Sequence, residues 1–69
     1  MYVHDEPTAR EYIAAWTTST AHRANNPARF RYAAQSQRAA AGLCRNPGDR
    51  NQRLAAAALL EAAALACSP

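Results

Sequence analysis

The chain has 69 residues, with eight arginines, no lysine, five acids and a net charge of +3. A chain of this length is one domain that buries only about 60% of its unfolded surface, so its core is small. Two cysteines (Cys44, Cys67), two histidines (His4, His22) and two glycines (Gly42, Gly48) exclude a disulfide framework, a zinc signature and a glycine-rich phosphate loop.

The opening decapeptide MYVHDEPTAR is polar and lacks the apolar core of a signal peptide. The most apolar stretch, LAAAALLEAAALAC at 54–67, is shorter than the roughly 20 residues needed to cross a bilayer. The expected setting is therefore the cytoplasm, with both thiols free. Arginine favours planar, two-toothed contacts with carboxylate or phosphate. Alanine and arginine without lysine is also what GC-rich coding gives, so the charge bears on association more than on identity.

Proline and asparagine divide the chain into three helical segments, at about 8–25, 27–45 and 50–67. No run alternates polar and β-branched residues, so strands have no support. In the first segment Ala9, Tyr12, Ile13, Trp16 and Thr20 fall on one helical face. Two starts compete there: Thr8 with Glu11 in a capping box, or Asp5 as the cap with Pro7 in the first turn. The TTST run at 17–20 is poor helix-forming sequence and marks the soft end.

Asn26 and Pro27 suit the start of the second helix. At 100° per residue it carries an apolar stripe of Phe30, Ala34, Ala41 and Cys44, flanked by Ala33, Gln37 and Ala40. Tyr32, Ala39 and Leu43 lie nearly opposite. Between these run Arg31, Arg38 and Arg45 at seven-residue spacing, with Gln35 and Gly42 beside them. Two opposed apolar stripes imply more than one packing partner.

Asn46-Pro47-Gly48-Asp49 reads as a turn, with Asp49 as the cap of the third helix and Gln52 as its reciprocal partner. In that helix Leu54, Ala58, Glu61 and Leu65 share one face. Leu60 and Cys67 lie near a second, and Leu59 points away from both. From Leu54 onward no side is polar, which is normal only for a helix covered all round. Two neighbours cannot cover it completely, and an exposed patch of that size marks an interaction surface. The expected fold is all-α: a three-helix bundle or helical hairpin with antiparallel neighbours, forming a homodimer or larger oligomer. Its interface is expected at Leu43, Leu59, Leu60, Ala63 and Cys67. Cys44 and Cys67 would sit about 27 Å apart along such a hairpin, too far for a disulfide, which needs Cα atoms within about 7 Å.

No convergent catalytic set is visible. Three of the five acids suit helix starts, and His22 lies near a helix end, where it can meet the last carbonyls. The expectation is no enzyme activity, no cofactor and no metal. Glu61 stands alone in an apolar helix and is expected to pair with an arginine of its own chain or to reach solvent at a seam. Arg31, Tyr32, Gln35, Arg38 and Arg45 are the candidate partner-binding residues. Arginine and tyrosine are common binding hot spots, while arginine with glutamine can also meet phosphates and base edges. The first reading is a non-enzymatic factor that regulates or inhibits a larger protein through a helix face. The alternatives are a small DNA-binding regulator and a self-assembling structural subunit. Size and composition suit an accessory protein of bacteria or their phages.

Overall fold

The computed structural model describes residues 2–68, and among these every regular element is helical. Helix α1 spans Glu6–Thr17, a short 3-10 turn spans Arg23–Asn25, α2 spans Asn26–Leu43 and α3 spans Pro47–Cys67. α1 is shorter than its predicted segment and starts at the earlier of the two expected positions. The Asp5 carboxylate accepts the Thr8 amide at 3.1 Å, and the Thr8 hydroxyl accepts the Asp5 amide at 3.1 Å. This reciprocal box satisfies two amides that the first helical turn leaves without partners. At the other end the Thr17 and Thr18 hydroxyls donate to the carbonyls of Ile13, Ala14 and Ala15. Side chains that bond back to the preceding turn favour its termination.

α2 begins one residue before its expected start, so Asn26 lies inside the helix rather than capping it. The helix ends at Leu43, where Cys44 turns extended, and Arg45 is therefore off the helix. α3 begins at Pro47 rather than near residue 50. Asn46 is its cap, and its side chain accepts from the amides of Gly48 and Asp49. The expected turn is thus a cap followed by a helical first turn with proline in the position that needs no N–H donor.

α2 runs antiparallel to both α1 and α3, so α1 and α3 are parallel. Asp5 and Glu6 lie beside Asn51 and Gln52, while Thr17 lies beside Ala66 and Cys67. Both shorter helices pack mainly on α3 and only lightly on each other. The molecule measures 38 × 18 × 15 Å, its length set by α3, which at 1.5 Å per residue is roughly 32 Å long.

The core consists of Val3, Ala9, Phe30, Ala34, Ala56, Ala57, Leu60 and Ala64, with Tyr12, Ile13, Trp16, Leu59, Ala63 and Cys67 packed partly against it. Phe30 and Leu60 are its largest fully covered apolar side chains. The alanines let three backbones approach closely around these two. Leu60 consequently leaves the predicted oligomer interface: it has 0% exposure within a single chain and has no surface to offer a second copy. Leu59, Ala63 and Cys67 are half-buried in the same core, whereas Leu43 is 85% exposed.

Candidate interaction surface on α2

Two buried amides lock α2 in place. Asn26 donates to the Trp16 carbonyl at 3.2 Å and accepts from Arg29 at 2.7 Å. The Arg29 guanidinium lies over the Trp16 ring, 3.6 Å from its centroid, and His22 meets the same ring edge-on. A guanidinium on an indole face is a favourable cation–π arrangement. His22 thus packs on an aromatic instead of capping a helix end. Gln37 donates to the Val3 carbonyl at 2.8 Å and accepts from Arg53 at 3.1 Å. Arg53 also donates to the Tyr2 hydroxyl at 2.8 Å, and Tyr2 stacks on His4. Tyr2 and Val3 are therefore bound across α2 and α3, with Val3 in the core.

These locks fix what α2 shows to solvent. Its outer ridge carries Tyr32, Gln35, Ala39 and Leu43, all exposed, and no acid occurs between Asn26 and Arg45. A shallow groove on one flank is lined by Tyr2, Val3, Tyr12, Tyr32, Ser36 and Gln37, so all three tyrosines of the protein border one depression. On the other flank Arg31, Gln35, Glu61, Ala64 and Leu65 line a groove of about 340 Å³ between α2 and α3.

In that second groove Arg38 donates to Glu61 through two nitrogens, at 2.9 and 2.6 Å. This two-toothed geometry suits a guanidinium and a carboxylate. Hydrogen bonding, with the charge attraction behind it, holds the Glu61 carboxyl below its usual range and raises Arg38. The lone acid of the apolar helix is thus paired with an arginine of its own chain. The pairing also splits the arginine stripe: Arg38 is neutralised and Arg45 lies beyond the helix, leaving Arg31 as the one stripe arginine on α2 without an ion-pair partner among the described residues. Arg50 and Arg53, at the start of α3, donate to the Cys44 carbonyl, Gln37 and Tyr2. Uncharged acceptors serve them, so their position calls for no bound anion.

Of the predicted partner-binding residues, Arg31, Tyr32, Gln35 and Arg38 come together on or beside the α2 ridge. Arg45 is set apart at the α2–α3 turn. Tyr2 and Tyr12 were not legible as part of this surface, because only the fold of the N-terminal arm brings Tyr2 next to Tyr32. Among the described residues no group of three His, Cys, Asp or Glu side chains is placed to hold a metal ion, and both cysteines are free. Among the described residues no helix is long and apolar enough to cross a membrane. In comparisons with protein-family models, curated proteins and solved structures, the chain matches none.

Proposed function

We propose that this chain is a small non-enzymatic binding factor, acting in the cytoplasm as an oligomer, that regulates or inhibits a larger protein through the outer face of α2. The observation that carries this reading is the Arg38–Glu61 pair. A helix that tracks a phosphate backbone needs several free cations along one side. Here the central arginine is bound to a carboxylate, and the flanking groove is mixed in charge with an apolar wall at Leu65. Tyrosines around one groove, with an arginine and a glutamine across the ridge, supply the aromatic anchors and polar rim typical of protein interfaces.

The test is a tagged pull-down from cell lysate in nuclease-treated and untreated halves, run with wild type and with the Arg31→Ala/Tyr32→Ala variant. The reading expects a stoichiometric protein that survives nuclease and is lost with the variant. Recovery of nucleic acid alone, abolished by nuclease, replaces this reading with the DNA-regulator alternative. A long self-assembly with no other protein replaces it with the structural-subunit alternative.

A further inference from the structure

The outer side of α3 is free of charge along most of its length. Leu54, Ala58, Ala62, Leu65 and Ala66 are all exposed, Leu65 at 77%. Asn51, Leu54, Ala58, Glu61, Leu65 and Ser68 follow one another at alternating three- and four-residue steps, the spacing of a helix–helix seam. Glu61, at the edge of this seam, is already neutralised by Arg38. We infer that a second copy of this chain covers the seam, with the two α3 helices antiparallel about a two-fold axis that passes between Ala58 and Glu61. This rests on the oligomeric part of the proposed function and is independent of the partner-binding face on α2.

Two features specify a second copy and its direction. The first is register. The axis that places Leu54 of one copy on Leu65 of the other also brings Ala58 opposite Glu61, so leucines meet at the ends, and in the middle each alanine faces a carboxylate already bound by Arg38. Such a seam is isologous, as a two-fold interface requires.

The second is charge. At the N-terminal end of α3 the flank facing α1 carries Asp5, the cap of α1, and Glu6, which also meets Arg10 at 3.5 Å, beside Asn51, Gln52 and Ala55. At the C-terminal end the same flank carries Arg23, beside Ala66 and Cys67. Arg23 has no ion-pair partner among the described residues. Antiparallel pairing sets the acids of each copy against Arg23 of the other. It also lets each Arg38–Glu61 pair approach its symmetry mate near the axis. Parallel pairing would instead set the α1 flank of each copy beside the α2 flank of the other, leave Arg23 and the acids at opposite ends, and lay the helix dipoles side by side in the same sense.

The first test is light scattering of the wild-type chain over a range of concentrations. The inference expects mass to rise to that of two chains, and a single-chain mass throughout overturns it. The direction is tested in a Cys44→Ser/Cys67→Ser background by mixing Leu54→Cys chains with Leu65→Cys chains under mild oxidation. A 54-to-65 cross-link, with little 54-to-54 or 65-to-65 product, is the expected result. Like-to-like products establish parallel pairing and overturn the inference. Arg23→Glu weakens the dimer roughly two- to fivefold, and adding Glu6→Arg restores it. If Arg23→Glu leaves the dimer unchanged, charge does not set the direction. A partner that still binds through Arg31 and Tyr32 when the chain is monomeric separates failure of this inference from failure of the proposed function.

Discussion

The two sides of α3 are made of the same residues and have opposite fates. The inner side, Ala56, Ala57, Leu60 and Ala64, is fully covered, while the outer side, Leu54, Ala58, Ala62 and Leu65, stays exposed. Hydrophobicity alone does not choose between them. The choice is made by the neighbours: Phe30 on α2 and the Ala9–Tyr12–Ile13–Trp16 face of α1 need a close, smooth partner, and the inner side presents three alanines around one leucine. The outer side has a leucine at each end of an alanine floor and is left over. One side supplies folding energy, and the other is available for association.

The largest expected effects come from the inner side. Leu60→Ala should cost about 2–5 kcal/mol and Phe30→Ala about 3–5 kcal/mol, as lost burial plus the cavity left behind. Urea unfolding followed by Trp16 fluorescence measures both. In dilute solution Leu65→Ala should stay within about 0.5 kcal/mol of wild type, as surface changes do. Equal losses at Leu60 and Leu65 would erase the distinction between the two sides.

The buried amides come next. Asn26→Ala removes two hydrogen bonds, leaving the Trp16 carbonyl with the Ser19 amide alone and Arg29 with only its stacking on Trp16, and should cost about 1–3 kcal/mol. Gln37→Ala should cost a similar amount or less, and should also free the N-terminal arm, read as faster hydrogen exchange at residues 3–5. If exchange there is unchanged, the contact to the Val3 carbonyl does not hold the arm.

A smaller effect follows acidification. The Glu61 carboxyl is lowered by hydrogen bonding to Arg38, and the Asp5 carboxyl by hydrogen bonding to Thr8. A lowered folded-state value means that stability is fully present above the unfolded value and is lost as pH falls through the folded one. Stability should therefore decline below the ordinary carboxylate range, and Glu61→Gln should flatten part of that decline. The smallest effect is expected at Arg31. Arg31→Ala should leave the melting temperature nearly unchanged, because this side chain makes no ion pair among the described residues. A clear drop would make it a structural residue instead of a contact residue.

The asymmetry between helices also explains how much was legible in the sequence. On α1 and α2, Tyr12, Ile13, Trp16 and Phe30 break the symmetry of the helix, so their buried faces follow from spacing alone. On α3, with alanine on every side, spacing groups Leu54 with Leu65 but leaves open which group turns inward, and Leu60 was assigned to the wrong surface for that reason. The Arg38–Glu61 pair requires the relative register of two helices, which neither sequence segment contains. The tyrosine groove depends on an arm pinned by Gln37 and Arg53, through contacts 34 and 51 residues apart in the chain. Helix ends were displaced wherever several polar residues compete to cap, as at Asp5 against Thr8 and Asn46 against Asp49.

The division of α3 into a folding side and an associating side is tested most directly by Leu65→Glu, with light-scattering mass and far-ultraviolet circular dichroism recorded on the same samples as wild type. The account predicts a two-chain mass for wild type and a single-chain mass with unchanged helicity for the variant. A variant that loses its helicity, or one that keeps the two-chain mass, would contradict it.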